Sequence, residues 1–562
     1  MSSASRSDAG SRPRGAPDSA EQAVVLRLDG QGRIPFDFRI GITGHRCLSE
    51  PEALIPAIQR ALRLLTGLLP VRASCDVVLV AASSLAEGAD RLVARELLAE
   101  PGSRLEVFLP IARREYMHDF TSADSKKEFR HLLARASQVR QAPAFDTRDE
   151  AYEAAGRQVV DRCDALIAVW DGEPAQGRGG TAEIVQYARE CKVPVVWVHT
   201  DAPVPTTEPH DHGERMRALR SAMRDLTEYN RSEFTDLRFQ ARIRAQRQEF
   251  GLSAVPAAAD DALGWAREGV AAWLIPFLVR ADLLAERLHR RFTRLSAAMF
   301  AMAAAAVGVV AIQTNFFPDQ DWLVSVEVLL LLALLAIPLL RNRLRLQERW
   351  TAYRFLAERL RSAYFLVLAG TRDRPQQPGG SASFSDPAVA WLERALAQIM
   401  AGRPHVALAS SQAVSLRECL SNCWIGRQMA YHSAAARRYG AWEKWLRNVI
   451  AILFGITLVS AVLHAIGLGP KLHLAAELIF LSISVPAVGA AIHGIGAHRD
   501  YRRQAERCSR MVDRLAQLGY QMDEAQSLSQ IRQIAVNVER SMREESHDWF
   551  GAMRFHDIEL IT

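Results

Sequence analysis

The chain has 562 residues, a formal net charge of +6 and 49% hydrophobic residues, which is too long for one compact core and predicts two or more domains. Its mean hydropathy near zero conceals segregation, because the apolar residues gather in four stretches after about position 295 with Arg beside them. A membrane accounts for that charge more simply than a nucleic acid, so no nucleic-acid partner is expected.

The seven cysteines (Cys47, Cys75, Cys163, Cys191, Cys419, Cys423 and Cys508) form no CxxC pair and no disulfide framework, which fits a reducing cytosol. No metal and no cofactor is expected. Residues 1–35 read as a disordered Ser/Ala/Arg/Pro leader without the apolar core of a signal peptide.

From 36 to 200, short apolar runs alternate with amphipathic helical patterns, which predicts a Rossmann-like α/β domain with a parallel sheet. The strands are expected at Phe38–Ile42, Val77–Ala82, Leu105–Leu109, Ala165–Trp170 and Val195–His199. Helices are expected near 51–68, 88–99, 125–136, 149–162 and 181–191. Right-handed crossovers then bring all the strand C-termini to one edge, where such sheets bind ligands.

Three motifs fall on that edge. In RIGITGHR, Gly41 and Gly44 flank the end of the first strand and His45 and Arg46 follow it; the glycines serve either a ligand's close approach or a plain tight turn. In SSLAEGADRLVA, Ser83 and Ser84 end a strand, while Gly88 and Asp90 open a helix that Asp90 can cap. The third motif, DGEPAQGRGGTAEIVQYA, begins at Asp171 directly after ALIAVW. In it Gly177, Gly179, Gly180 and Thr181 precede a helix start suited to a phosphate, and Glu183 is placed to bind a ribose hydroxyl. Three such motifs in order point to a nucleotide or nucleotide-derived ligand, although neither GxGxxG after the first strand nor a P-loop is present.

GITGHR, SSLAEGAD and GRGGTAE at these intervals resemble the SLOG superfamily of DprA-like and LOG-like Rossmannoid domains, over nearly all of 38–200. The resemblance implies a ligand site at Arg46, Ser84, Gly88, Asp90, Gly180, Thr181 and Glu183. In LOG enzymes the last motif reads PGGxGTxxE and supports N-glycosidic cleavage of nucleotides, with Glu183 as the matching catalytic candidate. The leading Pro-Gly-Gly is absent here, which favours ligand sensing over catalysis.

Residues 201–280 read as a connector, with TDAPVPTTEPHDHGE as a Pro/acidic linker and RSEFTDLRFQARIRAQRQEF as a solvated or interfacial helix. His210 and His212 in that linker have no third metal ligand nearby. Residues 262–294 look like a helix feeding the first span, in which AAWLIPFLV is too short to cross a bilayer.

Two tandem membrane hairpins with cytosolic helices are expected next, as an all-α membrane domain. The first occupies 281–370, with spans at about 295–312 and 322–340. After a flexible linker over 371–388, the second occupies 389–562, with spans at about 449–466 and 474–495. Arg287, Arg290, Arg291 and Arg294 precede the first span, and Arg341, Arg343, Arg345 and Arg349 follow the second. Arg437, Arg438, Lys444 and Arg447 precede the third, and Arg499, Arg502 and Arg503 follow the fourth. The outer loops carry Asp319, Asp321 and a single Lys471. This bias predicts a multi-pass protein with both termini cytoplasmic.

YRxxAER occurs at Tyr353 and again at Tyr501, an offset of 148 that Pro338 and Pro486 share, so the hairpins read as parallel repeats. Each holds one acid near the outer end of its returning span, Glu327 and Glu477. These either line a pore or reach the outer interface.

The order WxxxQMxYH, hairpin, YxxxAER and a closing acidic–DW segment resembles SLATT two-helix membrane domains, over about 420–550 and, more degenerately, 270–370. That resemblance implies an effector of bacterial antiphage or conflict defence in the inner membrane. Its partners would be a nucleotide second messenger, the enzyme that synthesises it, the lipid bilayer and further copies of the chain.

Overall fold

The computed structural model describes residues 30–69, 76–143, 145–174, 179–202, 204–207, 213–252, 261–371 and 387–554. The leader up to residue 29, Cys75, Gly177, His210, His212, most of the 371–388 linker and the last eight residues lie outside the described residues.

The N-terminal part alternates strand and helix as its apolar runs predict. In chain order it comprises β1 (Phe36–Gly44), α1 (Pro51–Gly67), β2 (Val77–Ser83), α2 (Ala89–Leu98), β3 (Arg104–Leu109), α3 (Arg113–Tyr116) and α4 (Ala123–Ala134). β4 (Gln138–Gln141), α5 (Arg148–Arg162), β5 (Ala165–Trp170), α6 (Thr181–Glu190), β6 (Val195–His199) and β7 (Pro205–Thr207) follow. The sheet order is β4-β3-β2-β1-β5-β6-β7, parallel except for the antiparallel β7. Ile40 at the centre faces Ala81 of β2 and Ala165 of β5. Phe36, Phe38, Ile40 and Ile42 on one face are all buried, and so are Asp37 and Gly41 on the other, as a strand covered in helix on both faces requires.

Two strands were not expected. β4 alternates half-buried and exposed residues, so its QVRQ carries no apolar run. β7 lies inside the segment read as a Pro/acidic linker; Pro205 is tolerated there because the strand is at the sheet's edge.

The helical part comprises α7 (Gly213–Arg231), α8 (Asp236–Glu249), α9 (Ala262–Phe316), α10 (Trp322–Arg343), α11 (Leu346–Leu368), α12 (Pro387–Ala401) and α13 (Ala413–Leu420). After a π-helical turn at Ser421–Gly426 come α14 (Arg427–Ala465), the short α15 (Leu468–Lys471), α16 (Ala475–Arg499), α17 (Tyr501–Glu524) and α18 (Leu528–Arg554).

This part docks beneath the N-terminal ends of the strands. The Asn230 side chain of α7 brackets Ile34, accepting from its N–H at 3.0 Å and donating to its carbonyl at 2.7 Å. Arg280 of α9, fully buried, donates to the carbonyls of Tyr229, Asn230 and Ser232 at 2.6–2.9 Å. Gly32 has φ +69, and an added Cβ there would stand 2.3 Å from the Pro276 carbonyl oxygen of α9. Arg394 of α12 binds the buried Asp164 just before β5, with one contact at 3.0 Å, and Asp164 also accepts from the Arg39 N–H at 2.9 Å. One continuous hydrophobic core therefore runs from β1 through α9 and α11 to α18.

Among the described residues, four helices are long and apolar enough to cross a membrane, within α9, α10, α14 and α16. Leu329, Leu335 and Leu339 of α10 are 65%, 62% and 65% exposed, and Phe454 of α14 is 68% exposed. Side chains of this kind exposed in a continuous band require lipid around them. α16 packs between α9 and α14, where Gly494 lies against Phe300 and Gly496 against Leu446. The hydrogen-bonded rod breaks after each returning span at a left-handed residue, Arg345 (φ +48) and Asp500 (φ +45). Relative to YRxxAER, the second break falls about two helical turns later than the first.

Burial opposes the charge on Asp164, but Arg394 and the Arg39 N–H outweigh it and hold the carboxyl below its ordinary value. A depressed carboxyl stabilises the fold above the unfolded value and loses that contribution as pH falls through the folded one. Arg394→Met leaves Asp164 uncompensated and lowers stability by about 3–5 kcal/mol. The double variant Asp164→Asn/Arg394→Met recovers most of the loss in thermal unfolding of the full chain at neutral pH.

Candidate functional site

The chain runs from β1 outward to β4 and then returns to β5 on the other side of β1. The C-terminal ends of β1 and β5 form the topological switch point, the crevice region where sheets of this type bind ligands. The helical part docks at the opposite, N-terminal edge, through Ile34 and Asp164, so this crevice is not the edge that it covers.

His45 leaves β1 and Asp171 leaves β5, and they meet across the crevice. His45 Nε2 lies 2.9 Å from Asp171 Oδ1 and 3.2 Å from the Asp171 backbone nitrogen. The Asp171 carboxyl sits below its ordinary value because it accepts the Glu173 N–H at 3.0 Å; slight burial opposes this and His45 adds to it.

The β2–α2 loop closes in on the end of β1, where Gly88 of the loop and Gly44 of the strand leave room. Ala89 N–H donates to the His45 carbonyl at 3.0 Å. An added Cβ on Gly88, which has φ +77, would stand 2.3 Å from the Arg46 carbonyl oxygen, and one on Gly44 would stand 2.4 Å from the Val169 carbonyl oxygen. Both positions therefore need glycine for close packing of loops, whatever the ligand. Arg46 is exposed and its guanidinium lies 4.9 Å from the Tyr152 ring centroid.

Ser83 and Asp90 turn inward. Ser83 Oγ donates to Asp90 Oδ2 at 2.7 Å and accepts the Leu85 N–H at 2.9 Å, and both residues are buried. Burial pushes Asp90 up to about 6, against the Ser83 hydroxyl, the Ala86 and Ser84 N–H groups and Arg46. Ser84 beside them is half-buried.

The Gly-rich loop packs on α5, since Gly179 (φ +79) approaches the Glu153 backbone nitrogen to within 2.8 Å of where a Cβ would be. Gly180 caps α6 and Thr181 begins it. Glu183, exposed, accepts the Gly179 N–H at 2.5 Å and so braces its own loop.

The structure thus gathers His45, Arg46, Gly88 and Asp171 at the crevice and ties the Gly179–Glu183 loop to it through α5. It also brings in residues that sequence reasoning passed over. Tyr152 donates to Asp119, and Arg148 pairs with Asp119 at 2.9 Å. Their signal was a basic and an aromatic residue one turn apart at the start of α5, in RDEAYEAAG.

In the membrane part, Glu477 stands exposed in the first turn of α16, where the helix dipole favours a carboxylate. Glu327 is half-buried one turn deeper along α10. Arg345 pairs with Asp225 of α7 at 2.8 Å, and Arg349 with Glu228 of α7 at 2.9 Å. The Arg flank of the second span is therefore bolted to the helix that brackets β1.

The family model described as "SMODS and SLOG-associating 2TM effector domain 1" matches residues 424–549. The chain carries a two-transmembrane effector domain there. This supports a membrane-effector role in conflict systems. The first hairpin, expected as a more degenerate copy of that domain, is matched instead over 281–373 by a model described as "Protein of unknown function (DUF4231)". Neither match reaches residues 36–200. No curated protein matches the chain.

Because Asp90 titrates upward on folding, its contribution is full below the unfolded value and declines as pH rises through about 6. Asp90→Asn should flatten that dependence, on the order of 2–3 kcal/mol between the two ends, in thermal unfolding at graded pH. Gly88→Ala strains the backbone and displaces the Arg46 loop, at a cost of about 1–3 kcal/mol, read in the same assay.

Proposed function

We propose that the chain is a ligand-gated membrane effector of bacterial antiphage or conflict defence. Its α/β domain binds a nucleotide-derived second messenger, made by a partner enzyme, in the crevice between β1 and β5. The helical part passes the bound state to a transmembrane module in the inner membrane, with both chain termini cytoplasmic. Two hairpins enclose little, so a conducting or disruptive path requires a homo-oligomer. Pore lining by Glu327 and Glu477 belongs to this reading.

The observation that carries it is the residue cluster at the C-terminal ends of β1 and β5. His45, Arg46 and Asp171 stand at a switch point with two glycine-dependent loops, on a domain whose far edge is joined by buried ions and hydrogen bonds to the helices entering the membrane. Gating requires only that ligand bind the open state better than the closed one. Membrane-anchored N-glycosidic hydrolysis is the competing reading. Glu183 argues against it, since its carboxylate is engaged by the Gly179 N–H.

The test uses the full chain in dye-loaded liposomes and a panel of cyclic dinucleotides, cyclic oligonucleotides and ADP-ribose derivatives. One class should bind, remain chemically intact and release dye, and Arg46→Ala should weaken its binding about tenfold, as loss of a charged hydrogen bond predicts. Saturating ligand without dye release sinks the gating idea. Ligand breakdown that stops in Glu183→Gln moves the protein to the enzyme class.

A further inference from the structure

A cavity of about 650 Å³ lies away from the crevice, between the stalks of the two hairpins, where α9, α11, α14, α17 and α18 meet. Its walls come from both repeats: Arg354 belongs to the first YRxxAER and Tyr501 to the second. Every lining residue falls outside the four apolar stretches, so the cavity sits at the cytosolic mouth of the spans.

The floor of the cavity is an ion network. Arg242 binds Asp282 at 2.7 Å, Arg354 and Arg361 each reach Glu358 at 2.5 Å, and both also approach Asp282, at 3.7 and 3.5 Å. Burial opposes the charge on Glu358, but Arg354 and Arg361 overcome it and hold the carboxyl at about 2. Glu249 stands 3.8 Å from Arg361, so the floor is close to neutral. Arg354 nevertheless keeps 35% of its side-chain surface open, because it faces the cavity.

The membrane-side end differs. Arg499 projects there and donates to the Tyr501 hydroxyl at 2.8 Å. His289 packs on Trp350 in a tilted contact, with centroids 4.5 Å apart. Burial pushes His289 below its ordinary value, and the nearby Arg499 and Arg354 guanidiniums add to it. His432, nine-tenths buried, lines the same cavity, and its Nδ1 has no hydrogen-bond partner among the described residues. A cavity with an excess of guanidinium at one end, an unsatisfied ring nitrogen and aromatic walls suits an anion carrying an organic body.

We propose that this cavity binds a phosphate-bearing ligand, with the phosphoryl group between Arg354 and Arg499 beside His289 and the rest of the molecule along Trp350 and Tyr431. The ligand bridges the two hairpins and holds their stalks in one arrangement. This site is separate from the β1–β5 crevice and stands whether or not the crevice binds nucleotide. Its phosphoryl group comes either from a soluble molecule or from an anionic lipid headgroup reaching in from the inner leaflet.

The experiment measures Tm of the full chain in nanodiscs. One arm uses phosphatidylcholine discs titrated with inorganic pyrophosphate; the other adds phosphatidylglycerol to the discs and no pyrophosphate. A rise of several degrees in the first arm assigns a soluble phosphoryl ligand, and a rise confined to the second assigns a headgroup. In either case Arg499→Gln should lose most of the rise, Arg499→Lys should keep most of it, and Arg343→Gln should keep it fully. Arg343 is exposed at the same boundary but does not line the cavity, so it controls for general attraction to anions. No rise in either arm, or an equal rise in wild type and Arg499→Gln, overturns the proposal.

Discussion

Helix α9 has to satisfy two solvents in one continuous helix of 55 residues. Its first half is protein interior, with Leu274, Leu278 and the wholly buried Arg280 packed among α7, α11 and the segment before β1. Its second half carries a stretch long and apolar enough to cross a membrane. A buried arginine in such a rod is tolerable only because three backbone carbonyls at the end of α7 receive it. That set of bonds fixes where the α/β domain sits on the helix, and the positions of the remaining helices outside the apolar spans follow from it.

The arginines that flank the spans serve two purposes. Position along the chain makes them topology signals. Several are also structural cations: Arg345 and Arg349 clasp acids on α7, and Arg341 is buried against Phe292. Exposed ion pairs contribute little singly. These are partly enclosed and join separate elements, so their effect is on geometry more than on net stability. The sheet lies between this junction and the crevice, with nine-residue β1 spanning about 30 Å from one edge to the other.

Much of the fold was legible because its signals are local. The five buried strands are short β-branched or aromatic runs, and the four spans are long apolar ones. β4 and β7 were not legible, since an edge strand exposes one face and needs no apolar run. Motif reading put its residues on the loops at the strand C-termini but could not tell which way a side chain turns. Gly44, His45 and Arg46 stand at the crevice, whereas Ser83 and Asp90 of the neighbouring motif are spent on each other. Arg148 and Tyr152 escaped notice because only the sheet order brings α5 beside the β1 loop. The stalk cavity was beyond reach for the same reason: His289, Arg354, His432 and Arg499 lie on four helices and share no spacing.

The left-handed contact at Gly32 presses the start of the α/β domain onto α9 at Pro276, and from there the rod runs about 60 Å to its outer end. Such a length acts as a lever arm with its fulcrum at the domain contact. A tilt of about 5° at that fulcrum carries the far tip through about 5 Å, roughly one turn of helix. Displacements too small to register as a change of fold at the sheet are thus amplified, by leverage alone, into a repacking at the far end of the helix.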